Sequence, residues 1–276
     1  MARLVRVRTT LGASYVAACG WHSVDAVSAA HWRPIAATAV AAFSTIAFGQ
    51  VYNDIRDRAL DRIAKPHRPL PSGAVGLAAA RALAAAAVVV ALAAATVAGP
   101  AAVGLTAVAL LIGVLYSTRL KSTVLWGNAA VAATCAAMHL YGPVATGSVT
   151  ARTIAGFSLV FLLILGSEVL KTGEDLEADA KAGITTLATA RGPRACATAV
   201  AWTTAALVAC CALTVLVIPF SGIGFLLLGM APCTASAVAT CATLRRRRPA
   251  SAQALAAANR HWRRGWRVSI LGLAFI

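Results

Sequence analysis

Charge is scarce in this chain, and acidic charge is scarcest. Of 276 residues, 12% are charged and only nine are Asp or Glu. A soluble domain carries about a quarter charged residues, so the shortage excludes an ordinary water-facing surface. Metal-ligand patterns are also missing. The seven cysteines, Cys19, Cys135, Cys196, Cys210, Cys211, Cys233 and Cys241, form no CxxC pair, and the five histidines show no ligand spacing. Zinc and haem sites are therefore not expected, and the cysteines read as small buried hydrophobes.

Apolar length fills the gap. The chain is 59% hydrophobic with a mean hydropathy of +0.77. Its apolar runs are too long for single core helices and too long for barrel strands. The expected fold class is all-α: a polytopic membrane protein of about nine transmembrane helices around a central cavity, with a polar cap on one side. Helices are expected near 10–30, 34–62, 75–98, 101–117, 123–142, 152–172, 192–218 and 221–243. A basic amphipathic stretch, about 250–262, precedes a ninth helix. Gly99-Pro100 and Pro219 mark turns. Residues 1–9 look like the start of a signal peptide, but the following WHSVD lacks a small-residue cleavage site, so a retained first helix is expected. One transmembrane domain, 1–276, is expected. Its Ala/Val runs read as membrane filler.

The net charge of +16 invites a nucleic-acid reading. The basic residues fall instead in short clusters between apolar runs, as topology signals do, and no nucleic-acid module is recognisable. With nine helices, one set of ends holds almost all of them, from Arg3, Arg6 and Arg8 to the RRRR at 245–248 and Arg260–Arg267; the other set holds only Arg33 and Arg152. This asymmetry expects the N-terminus and the first set on the cytoplasmic side of the cell's inner or plasma membrane.

The nine acids are arranged with the most information. Asp25 stands alone. Asp54, Asp57 and Asp61 form one stretch, and Glu168, Glu174, Asp175, Glu177 and Asp179 form another. On a helix, Asp54, Asp57 and Asp61 share a face, with Asn53 beside them as a neutral oxygen donor. Folding alone gives no reason to gather like charges at membrane depth, where ionisable groups are costly and usually functional. A hard divalent cation does. Mg²⁺ takes oxygen ligands and is commonly held by carboxylates plus substrate phosphates. Asp175 and Asp179 repeat the i, i+4 spacing, and Glu168, Lys171 and Asp175 follow i, i+3, i+7. A third polar element, YSTRLKS with Tyr116, Arg119 and Lys121, lies at an end on the same expected side. Its ammonium and phenol suit phosphate oxygens. Two carboxylate stretches in basic surroundings thus suggest a phosphorylated substrate bridged by metal ions.

These residues resemble the UbiA family of intramembrane prenyltransferases. Asn53, Asp54, Asp57 and Asp61 match its NDxxDxxxD motif, followed by the Arg68–Gly73 tail RPLPSG. YSTRLK is similar to its Tyr-Ser…Leu-Lys element. GSEVLKTGEDLEADAKAGITTLATARG, 166–192, resembles its second motif, with DxxxD at Asp175 and Asp179 and the run from Lys181 to Leu187. The early Arg-Pro step of many members is absent.

The resemblance implies two or more Mg²⁺ ions, replaceable by Mn²⁺. Asp54, Asp57, Asp175 and Asp179 would hold them, assisted by Asn53 and Asp61. Arg68, Tyr116, Lys121, Lys171 and Lys181 would neutralise the diphosphate of an isoprenyl donor. The lipid bilayer surrounds the reaction. An acceptor, most often aromatic, would then take the isoprenyl group. The alternative is a cyclase of the same family, in which the donor's own double bond attacks, guided by aromatic faces such as Phe43, Phe48, Tyr52, Trp126, Tyr141, Phe157 and Phe161. Aromatics at 6% of the chain favour transfer. A transporter would need charges lining a path across the membrane, and here they crowd one side.

Overall fold

The computed structural model describes residues 2–24, 28–218, 223–246 and 251–276. Asp25, Pro219, Arg247 and Arg248 lie outside the described residues. Every regular element among them is helical. In chain order these are α1 (Ala2–Val5), α2 (Val7–His22), α3 (Trp32–Arg56), α4 (Arg58–Ala64), α5 (Leu77–Thr96), α6 (Pro100–Thr118), α7 (Trp126–Ala137), α8 (Tyr141–Thr146), α9 (Ala151–Glu174), α10 (Leu176–Lys181), α11 (Leu187–Val217), α12 (Ala231–Arg246) and α13 (Ala252–Ser269). The chain divides into two compact units, Met1–Leu120 with Ala137–Val149, and Lys121–Ala136 with Thr150–Ile276.

Among the described residues, six helices are long and apolar enough to cross a membrane: α3, α5, α6, α9, α11 and the segment Phe225–Arg246 that ends in α12. Three expected helices are built differently. The first is α2, with 16 residues. The fifth is divided into α7, the short turn Met138–Leu140 and α8. The last is α13, whose four arginines lower its hydropathy. The expected helix at 34–62 is interrupted at Asp57, which caps α3 and opens α4 with φ −83° and ψ 1°.

In the first unit, α3 packs against α5, α2 and α6. The Ala-rich α5 buries Ala80, Ala84, Ala87, Ala91 and Ala95, one helix face, while Val89 and Val90 point outward. The alanines are thus not mere filler. Small residues let two backbones approach where apolar burial alone gives little drive between helices in lipid. Hydroxyls inside the bundle are satisfied locally, as a lipid setting requires. Thr45 Oγ1 donates to the Ala41 carbonyl at 2.8 Å, and Trp21 Nε1 donates to Thr38 Oγ1 at 3.0 Å, joining α2 to α3. Of the aromatics considered for cation guidance, Phe48 and Tyr52 stack at 5.4 Å in the packed core, and the buried Tyr141 hydroxyl bonds Thr106 at 2.8 Å. Both arrangements are packing.

In the second unit, α9 packs against α11 and α13, and α13 against α12. Thr150 with Thr153 and Thr186 with Thr189 form reciprocal caps that start α9 and α11. Gly192, at φ 77°, breaks the helical path inside α11 ahead of Pro193. The expected start of that helix near 192 marks this break rather than the true beginning at Leu187. Gly166 faces the Trp262 ring so closely that a Cβ there would overlap it, and Trp262 Nε1 donates to the Leu163 carbonyl at 2.8 Å. This pair fixes α13 on α9.

Candidate active site

The first acid stretch sits where a long helix gives way to a short one. Asp57 leaves the helical region for a single residue, yet the backbone ladder continues: Asp57 N–H donates to the Asn53 carbonyl and Asp61 N–H to the Asp57 carbonyl, both at 2.8 Å. Asp54 and Asp61 are each 4% exposed. Buried carboxylates need partners, and arginines provide them. Arg68 Nη1 lies 2.6 Å from Asp61 Oδ2 and 3.4 Å from Asp54 Oδ1. The 66–73 loop, RPLPSG after the rigid Lys65-Pro66 step, brings this arginine back over the helix end. Arg6 Nη2 approaches the same Asp54 Oδ1 at 2.7 Å. Its backbone is left-handed, φ 48° and ψ 54°, at the break between α1 and α2. A non-glycine residue there is uncommon.

Asn53 joins as expected. Its Nδ2 donates to Asp57 Oδ2 at 2.9 Å, while its Oδ1 is buried without a hydrogen-bond partner. Gln50 Oε1, one turn earlier on α3, is also buried without one. The donor set here is all oxygen, and the orphaned amide oxygen beside two carboxylates suits a hard cation. Among the described residues, no three His, Cys, Asp or Glu side chains converge into a group that could hold a metal ion. The carboxylates are spread between arginines rather than gathered.

The second stretch repeats the backbone device. Asp175 ends α9 and opens α10 with φ −85° and ψ 5°, and Asp179 N–H donates to the Asp175 carbonyl at 2.9 Å. None of the α10 residues is buried. Lys171 Nζ pairs with Glu168 Oε2 at 3.3 Å, so its charge is partly committed to its own helix. Lys181 is exposed at the α10 end, and Gly183 turns the chain with φ 65°. The loop carrying Lys121 is tied to the run after Lys181, because Thr185 N–H donates to Ser122 Oγ at 3.1 Å. Thus Lys121 and the second acid stretch belong to one unit, and Asn53, Asp54, Asp57, Asp61, Arg68 and Tyr116 to the other. Tyr116 is half-buried near the end of α6.

Several residues here had no motif to announce them. Arg6 reads in sequence as a topology charge. Asn259 Nδ2 donates to Glu174 Oε2 at 2.7 Å, and Asn128 Nδ2 to Thr172 Oγ1 at 2.9 Å. A polar amide inside an otherwise apolar helix is the available signal for Asn128 and Gln50; Asn259 lies in a helix with four arginines and has no such signal.

Comparisons with known proteins bear on the family and the fold. The model of the UbiA prenyltransferase family matches residues 10–263, and the chain belongs to that family. A digeranylgeranylglyceryl phosphate synthase of Methanoculleus marisnigri is 38% identical over 140 residues, 50% of this chain and 50% of that protein. The chain thus spans about half the length of this first relative. The protein of that name from Sulfolobus acidocaldarius is 32% identical over 194 residues, 69% of each. A solved UbiA homolog from Archaeoglobus fulgidus, bound to GPP and Mg²⁺, shares the fold, with a TM-score of 0.73 at 19% identity over 97% of this chain and 98% of that one.

Proposed function

We propose that this protein is an intramembrane prenyltransferase that releases diphosphate from an isoprenyl diphosphate and joins the isoprenyl group to a glyceryl phosphate acceptor. One observation carries the site: Asp54 and Asp61, both buried, are joined by Arg68 beside the orphaned Asn53 oxygen. A carboxylate and amide set so maintained has a use beyond folding. The acceptor reading rests on the relatives, whose name refers to glyceryl phosphate and not to an aromatic compound. It replaces the aromatic acceptor expected from sequence, and it favours transfer over cyclisation.

Asp54, Asp57, Asp175 and Asp179 would hold Mg²⁺, with Asn53 and Asp61 beside them. A bound cation neutralises phosphate oxygens and favours departure of diphosphate. Arg68, Tyr116, Lys121, Lys171 and Lys181 supply N–H and O–H donors to the remaining phosphate oxygens. Apolar helix faces exclude water from the developing allylic cation. Residues 1–276 act as one catalytic domain. Nine membrane crossings include α2, the α7–α8 pair and α13, with the acid stretches on the cytoplasmic side. A reporter fused within 66–75 should read cytoplasmic, and one near 148 external; the reverse would refute that orientation.

The test is product analysis. Purified protein in bilayers receives geranylgeranyl diphosphate with a prenylated glyceryl phosphate, with an aromatic acid, or with no acceptor. Growth of the glyceryl phosphate by one geranylgeranyl group, with release of diphosphate, is expected, lost with a chelator and restored by Mg²⁺ or Mn²⁺. Prenylation of the aromatic acid alone would overturn the acceptor, a cyclised hydrocarbon without acceptor would overturn transfer, and full activity under chelation would overturn the metal.

A further inference from the structure

The arginines of α13 are out of place for a helix in this position. Thr240 Oγ1 of α12 donates to the Ala258 carbonyl at 3.3 Å. Gly265 lies against Ser236 and Pro232, Gly272 against Gly229, and Phe275 against Gly224. These contacts define one antiparallel register along nearly the whole of Phe225–Arg246, a segment long and apolar enough to cross a membrane. α13 and its terminal turn Ile270–Phe275 therefore run through the same depth. In that register Arg260 lies level with Thr240, Arg263 and Arg264 with Ala237 and Ser236, and Arg267 with Cys233. At 1.5 Å per residue, these levels are roughly 9, 15 and 20 Å in from the Arg246 end. The contacts with α9, Leu255 on Gly173 and Trp262 on Gly166, agree.

All four arginines point outward. The buried face of α13 is Ala254, Leu255, Ala258, Trp262, Gly265 and Ser269, whereas Arg260, Arg263, Arg264 and Arg267 are exposed at i, i+3, i+4 and i+7. No carboxylate among the described residues pairs with any of them. Arg260 can snorkel to the near interface; Arg267, two turns deeper, has further to reach. Four cations on one stripe at this depth are costly against hydrocarbon, so the stripe needs an anionic cover. A second copy of this chain is a poor cover, because eight of its nine acids lie in the two stretches and Glu168, the one farther inside a helix, is paired with Lys171.

The geometry points to the outer face of α13 as a seat for a phosphate-headed lipid, its phosphate held by Arg263, Arg264 and Arg267 and its tails lying in the bilayer. Guanidinium forks suit phosphate oxygens in a bidentate manner; arginines that snorkel toward the Arg246 end draw a lipid phosphate inward from that interface, and its tails cover the apolar surface around them. The seat is independent of the reaction proposed above and of its metal.

The experiment is native mass spectrometry of the full chain released from bilayers containing equal phosphatidic acid and phosphatidylcholine. The protein should retain phosphatidic acid with a preference of roughly tenfold or more. The triple variant Arg263→Gln, Arg264→Gln, Arg267→Gln should lose that preference, while Arg245→Gln with Arg246→Gln, at the end of the neighbouring helix, should keep it. Inorganic phosphate should not displace the lipid. Should the Gln triple fail to fold by circular dichroism, the Lys triple, which keeps charge without the planar fork, should show a reduced preference. Equal retention of the two lipids by the wild type would overturn the seat, as would an unchanged preference in the folded Gln triple or in the Lys triple. Displacement by inorganic phosphate would show a free-anion site instead.

Discussion

Asp57 and Asp175 occupy the same place in two different units. Each ends a long apolar helix near φ −84° and ψ 3°, averaging the two, each opens a short helix, and each accepts from the Asp four residues on. Their surroundings differ. In the first stretch Asp54 and Asp61 are buried and paired with Arg6 and Arg68, which come from outside the helix. The second is more exposed, its Lys171 pairs with Glu168 on the same helix, and neutral asparagines brace its approach through Thr172 and Glu174. An identical DxxxD spacing therefore sets the backbone, while distant residues set the electrostatics. The first stretch has two carboxylates buried against arginines, and the second lies nearer the surface.

The largest effect should erase the difference. Asp54→Ala and Asp175→Ala should each reduce turnover by about a thousandfold or more, measured per mole of folded protein, if both stretches serve one reaction. A near-normal rate in either would assign the chemistry to the other alone. Stability should restore the contrast. Arg68→Gln leaves two buried carboxylates short of a partner and should cost roughly 3 kcal/mol in denaturant unfolding. An unchanged midpoint would mean that the first stretch does not lean on Arg68.

Lys121→Met should lower donor kcat/KM by about ten- to a hundredfold, the worth of one charge-assisted hydrogen bond, and leave acceptor KM unaltered. A change below about twofold would remove Lys121 from the site. The smallest effect belongs to Lys171→Gln, whose i, i+3 pair is partly exposed and should contribute less than about 1 kcal/mol to stability. A larger loss would put the second stretch in the same structural class as the first.

Helical class, the long spans and both acid stretches were legible because apolar length and DxxxD spacing are local. The break at Asp57 was not, since nothing in NDIRDRALD distinguishes an unbroken helix from one with a single residue displaced. Arg6 was missed for another reason. Its role comes from a left-handed backbone residue that carries it to Asp54, and in sequence it is one more positive charge before an apolar run. The alanines of α5 hid in low complexity, where only three-dimensional packing separates Ala84 from Val89. In sequence the arginines of α13 read as a connection between helices, because composition reports average polarity and not the neighbour against which a helix lies.

Two glycines, one just before α12 and one in the turn after α13, also bear on how the C-terminal segment is held. Gly229 and Gly272 bring two backbones together where any side chain would hold them apart. A segment with four arginines gains little by partitioning into a bilayer on its own. α13 and its terminal turn are held instead by close packing against Phe225–Arg246 and α9. Gly272→Leu should therefore loosen the C-terminal segment from the turn before α12, read as faster cleavage of that end by added protease, and an unchanged cleavage rate would mean that the contact is dispensable.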